Sequence, residues 1–267
     1  MPKQKALRGA IKINLAVSPV SPLVRVPEED VQTIPYQDLS PLMREAIEEA
    51  LLMAWSRLPV EAQAQGVDLM NVGEEPLTRL FRDELDKLRL DNTEPVPGFT
   101  EAVFQHMPES EGVPNFTGLP DNANTKYPDL VFRPVRRPAG VIRTVTYGIF
   151  VECKIIHKST DHHSVKDYCK HGIRRFVAGE YAWMMPRGIM IGYVRDDKDI
   201  PGALTTFLQD SEVLTEYQVL TLPKPSQRNA VGLEFFTSTH GRSNVIIGQS
   251  GRSPGNIELL HVWLHVV

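Results

Sequence analysis

Apolar residues begin to recur at helical intervals just after Ser40: Leu42, Ile47, Leu51, Leu52, Trp55 and Leu58 share a stripe, Ser40 can cap it and Pro41 suits the first turn. A second stripe, Leu77, Leu80, Phe81, Leu85 and Leu88, predicts a helix opening near Glu75 and Pro76. Residues 91–126 break the pattern with repeated Pro, Gly and Asn and read as a long loop. Short β-branched and apolar runs then predict strands over 130–133, 141–146 and 149–156. Ser164 followed by Asp167 has the form of a capping box, so a helix is expected from there to about Trp183, stopped by Pro186. The continuous apolar run over 188–194 reads as a buried strand. Beyond it the pattern predicts a helix over roughly 202–210 and strands near 218–222, 233–238 and 257–266, the last of which alternates well enough to join the same sheet. Residues 1–40, rich in Pro and Val behind a basic start, form an N-terminal extension, and 41–267 is expected to be one domain.

The composition, 42% hydrophobic and 23% charged, is that of a globular chain able to bury a sizeable core. No apolar run is long enough to span a bilayer and no signal-peptide core opens the chain, so a cytoplasmic protein without membrane contact is expected. Cys153 and Cys169 have neither a disulfide framework nor a zinc spacing around them and read as reduced buried thiols. The net charge of -4 hides two regions of opposite sign. Residues 41–125 carry 16 Asp/Glu against 6 Lys/Arg, whereas 126–195 carry 13 Lys/Arg against 5 Asp/Glu. The basic half suits a polyanionic partner, and the acidic half is a plausible docking surface for a protein partner or a second copy.

The basic half also holds the most unusual residues. Glu152 and Lys154 interrupt an apolar strand, project to the same face, and follow Pro128-Asp129 by 23 residues. An unpartnered buried charge costs several kcal/mol, whereas a metal ion and a phosphate group would provide partners for both. This pattern, Pro-Asp followed by Glu-x-Lys on a strand, resembles that of the PD-(D/E)XK nucleases, over about 74–194. The resemblance implies an α/β fold with a restriction-endonuclease-like core in the order helix, three strands, helix, strand: a mixed central sheet flanked by helices, here with added C-terminal strands.

It further implies a Mg2+-dependent endonuclease, with Mn2+ as a substitute, acting on nucleic acid, DNA by family precedent, in restriction or anti-phage defence. Asp129 and Glu152 would hold the ion together with the backbone carbonyl of Cys153, oxygen ligands of the kind magnesium prefers. Lys154 would orient the attacking water and stabilise the transition state. Family members often add a glutamate from the first core helix. Glu75 is taken here over Glu74, although acids at a helix start are also favoured by the helix dipole alone. On the helix after the motif, Lys170 and Arg174 are one turn apart and can meet the same phosphate backbone. The histidine-bearing loop 157–163 and the pair His240 and Arg242 are further polar clusters that turns explain nearly as well. No helix-turn-helix, zinc-finger or P-loop pattern adds base readout or ATP use. The alternative open at this point is a catalytically silent nuclease-like module, with Glu152 and Lys154 serving as a buried ion pair, that binds nucleic acid or scaffolds a partner.

Overall fold

A computed structural model describes residues 35–90, 96–99, 104–107, 128–134, 139, 141, 147–157, 164–180, 182–226, 233–245 and 253–266. Helix α1 spans Pro41–Ala64, with the Ser40 side chain accepting from the Met43 amide, and α2 spans Glu74–Leu90. Among the described residues seven strands form one sheet: β1 (Phe104–Met107), β2 (Leu130–Pro134), β3 (Ile149–Ile156), β4 (Arg187–Val194), β5 (Val219–Pro225), β6 (Leu233–His240) and β7 (Ile257–His265). Their order across the sheet is β1-β2-β3-β4-β7-β6-β5. The pairs β3–β4 and β4–β7 are parallel and the other four antiparallel, so the sheet is mixed and open.

Strand alternation divides the core into two layers. Val151, Cys153 and Ile155 of β3 pack with Ile191 and Tyr193 of β4 against Leu51, Trp55, Leu77 and Phe81 of α1 and α2. Phe150 and Ile156 of β3 join Met190 and Trp263 against Tyr168, Ile173 and Phe176 of a helix on the opposite face. That site helix, residues 165–177, opens at Ser164 with the expected capping box. It then widens into a π-helical segment, Cys169–Ile173, before a last α-helical turn, Arg174–Val177.

Most expected elements are present, and the departures have local causes. The stretch read as loop contains the edge strand β1, paired with β2 in the register Phe104↔Pro134 to Met107↔Val131. The strand expected over 141–146 falls almost wholly outside the described residues, while Val141 itself is buried without strand structure. Among the described residues the order from α2 to β4 is therefore helix, three strands, helix, strand, but its first strand is β1. The site helix ends at Val177 rather than near Trp183, because Gly179 takes a left-handed φ of 72° that ends the helical path well before Pro186. In place of one helix over 202–210 there is a π-helical segment, Ile200–Thr205, capped by Asp199, then Thr206–Leu208 and Ser211–Glu216. The C-terminal strands do extend the same sheet, and both cysteines are buried free thiols. Among the described residues no helix is long and apolar enough to cross a membrane.

Candidate active site

The β2–β3 ladder runs only from Phe132↔Ile149 to Leu130↔Val151. Beyond that point no strand among the described residues pairs with β3 on this side, and its backbone N–H groups at Cys153 and Ile155 find other partners. Carboxylates supply them. Asp129, just before β2, accepts the Cys153 N–H through Oδ2 at 2.6 Å, and Glu74, at the start of α2, accepts the Ile155 N–H through Oε2 at 3.0 Å. The fork where β2 and β3 part is thus lined by acids that accept from the β3 backbone.

Lys154 fills the fork from β3. Its Nζ donates to the Cys153 carbonyl at 2.6 Å and to Glu74 Oε1 at 2.8 Å, and lies 2.9 Å from Glu152 Oε1 and 4.0 Å from Asp129 Oδ2. Glu152 forms the floor, with no exposed side-chain surface, while Lys154 is 13% exposed and Asp129 and Glu74 about 30% and 29%. The cluster is therefore buried at Glu152 and open at Asp129 and Glu74. Arg175, from the last turn of the site helix, donates to Glu152 Oε1 as well. Gly172 allows that approach: a Cβ there would lie 2.2 Å from Met190 Cε and 3.8 Å from Glu152 Cγ.

Charge among the described residues of the cluster is unbalanced, three acids facing one ammonium and one guanidinium. Burial, reinforced by Asp129, pushes the Glu152 carboxyl up to about 8 against the pull of Lys154 and Arg175. Asp129 is likewise raised, mainly by burial and against the pull of Lys154. Burial works against the Lys154 ammonium, yet Glu152, Asp129 and Glu74 together hold its pKa above the ordinary lysine value. One ammonium shared among three acids stays firmly charged, while Glu152 and Asp129 remain short of positive charge.

Asp129, Glu152, Lys154 and the Cys153 carbonyl thus come together as expected, while the Cys153 thiol points to the opposite layer. Glu75 does not join them. It is exposed, and Glu74 takes the place expected of it, because the residue at the very start of α2 is the one that reaches the fork. Lys170 and Arg174 are exposed on the site helix, and Arg175 is the basic residue that turns inward. The wider π-helical turn shifts the faces by a residue relative to an ideal helix. Gly172 inside a helical pattern was the legible sign of such a close approach. His240 and Arg242 are not exposed to a phosphate. Arg242 is 1% exposed and donates to the carbonyls of Gly255, Ala182, Trp183, Pro254 and Asn256. His240 belongs to a buried relay in which Tyr168, His261, Ser238, His240 and the Tyr217 carbonyl are linked at 2.7–2.8 Å. Most of the loop 157–163 lies outside the described residues.

The donor set suits a hard divalent cation: carboxylate and carbonyl oxygens, an excess of acid, and Glu152 Oε2, a buried oxygen with no hydrogen-bond partner. Among the described residues no three His, Cys, Asp or Glu side chains stand arranged as a ready cage, since the acids close on the Lys154 ammonium instead. Comparison of the chain with protein-family models, characterised proteins and solved structures yields no match.

Proposed function

We propose that the chain is a metal-dependent nuclease of the PD-(D/E)XK kind that hydrolyses phosphodiester bonds, with DNA as the substrate and restriction or anti-phage defence as the setting. The observation that carries this reading is the convergence of Asp129, Glu152 and Lys154, from separate positions in the chain, at the β2–β3 fork. The order of elements from α2 to β4, with Asp129 leading into the second strand and Glu152 and Lys154 on the third, supports it further.

Asp129, Glu152 and the Cys153 carbonyl would hold Mg2+ or Mn2+, and the unpartnered Glu152 Oε2 leaves an oxygen for it. Such an ion supplies Lewis-acid polarisation of the phosphoryl group and a more acidic water. The remaining work belongs to the chain. Lys154, held by Glu74, donates hydrogen bonds to the attacking water and offsets charge developing on the phosphoryl oxygens. The Ile155 amide fixes Glu74 and so fixes the lysine. Arg175 offsets part of the charge on Glu152, and the exposed Lys170 and Arg174 meet the phosphate backbone.

The test is incubation of the full chain with supercoiled plasmid, linear duplex, single strands and RNA in Mg2+, Mn2+ or chelator. Cleavage of DNA that needs the metal and disappears in Asp129→Ala and Lys154→Ala is expected. A wild type that cuts none of these substrates, or variants that cut as well as it does, overturns the proposal.

A further inference from the structure

The Lys154 ammonium stands in an oxygen shell of the kind a metal ion would use. Its three nearest oxygens, the Cys153 carbonyl, Glu74 Oε1 and Glu152 Oε1, lie at 2.6, 2.8 and 2.9 Å, and Asp129 Oδ2 stands at 4.0 Å. Two of these groups, Glu152 and the Cys153 carbonyl, are also those that would hold the ion. Each carboxylate has only so much charge to share, and Glu152 offers one engaged oxygen and one unpartnered one.

We infer that Lys154 is a built-in counter-cation: its ammonium and a divalent metal ion compete for one set of oxygens, so the ion enters as the ammonium withdraws. Deepening the proposed nuclease reading, and resting on it, this gives Lys154 a second role, that of setting metal affinity. The fold supports such a movement. Asp129 and Glu74 are anchored to backbone amides of β3 and stay in place without the lysine, whereas the lysine is a flexible stem that reaches into the fork from β3. The competition offsets part of the charge of three acids when metal is scarce, and couples metal arrival to release of the ammonium toward the phosphate and water.

The sign of one measurement separates this from a lysine that acts on water alone. Mn2+ binding to the full chain is followed by the paramagnetic resonance signal of the free ion, in wild type, Lys154→Met, Lys154→Arg and Glu152→Gln. Lys154→Met is expected to bind Mn2+ at least roughly tenfold more tightly than wild type, a difference of about 1.4 kcal/mol. Lys154→Arg, which keeps the charge, gains no affinity, and Glu152→Gln loses it. If acids stripped of their ammonium prevent Lys154→Met from folding in chelator, its folded fraction is titrated with Mn2+ by circular dichroism, and half-folding below the wild-type dissociation constant is the expected result. Wild-type or weaker affinity in Lys154→Met, or the same gain in Lys154→Arg, overturns the competition while leaving the metal site intact. Absence of Mn2+ binding in both wild type and Lys154→Met overturns the metal reading with it.

Discussion

Replacing Glu152 by Gln is expected to stabilise the metal-free protein, and to do so only at neutral and alkaline pH. The Glu152 carboxyl titrates near 8 in the folded chain against an ordinary value of 4.5, burial being the main cause. Between those values the native state retains a proton that the unfolded state has released, so stability falls as pH rises across the window. Each unit costs about 1.4 kcal/mol, and the whole window sets a ceiling of about 5 kcal/mol. Gln keeps the shape and does not ionise. Lys154 retains Glu74 and the Cys153 carbonyl, and Arg175 is partly exposed, so the loss of Glu152 leaves no charge both buried and alone. Allowing for the two pairings given up, a gain of roughly 1–3 kcal/mol at pH 8.5 is expected, about 2–10 °C in Tm for a chain of this size. The assay is thermal and urea unfolding of both proteins in chelator at half-unit steps from pH 5 to 9. The difference closes toward pH 5 and, in saturating Mn2+, reverses in favour of the wild type. A variant less stable at pH 8.5, or a difference that does not change with pH, would refute the account of Glu152 as a desolvated carboxylate short of positive charge.

Two further expectations test the frame that carries the site. Burial lowers His240 to about 4 and His261 to about 3, so both sit neutral in the native relay; the unfolded chain takes up their protons below about 6.5, and stability falls as pH drops through that range. Glu152 acts in the opposite direction from 4.5 to about 8, outweighed by the two histidines below about 6.5 and unopposed by them above it. Unfolding free energy in chelator is therefore expected to peak near pH 6–7, and removing the two histidines as a pair shifts the acid limb; a monotonic profile contradicts this. A Cβ at Gly188 would lie 2.4 Å from the Phe176 ring, so Gly188→Ala is expected to cost about 1–3 kcal/mol in urea unfolding by pushing the site helix off the sheet, and a neutral substitution would mean that the helix yields freely.

The elements that declared themselves in the sequence are those whose own residues carry the signal. Stripes on α1 and α2, the capping box at Ser164 and the apolar runs of β3 and β4 reflect burial written at regular intervals. What escaped depends on partners distant in sequence. Strand β1 is a four-residue edge held by pairing to β2, and no local period distinguishes so short a segment from the loop around it. The π-helical segment, Cys169–Ile173, changes which side chain faces inward, and ideal helical spacing gives no sign that Arg175 would reach Glu152.

The acid from α2 shows the same limit within the site. Glu75 is the sequence-based choice, but what selects between the neighbours is the amide of Ile155, which donates to Glu74 at the place where β2 leaves β3. An acid that satisfies that amide also reaches Lys154, so a single backbone vacancy determines both the helix docking and the lysine's holder. The same logic accounts for Asp129 and the Cys153 amide. Reading the site from a sequence therefore requires locating the end of the β2–β3 ladder, which is a tertiary fact, whereas Glu152 and Lys154 were legible because a charge placed in the middle of a buried strand is conspicuous by itself.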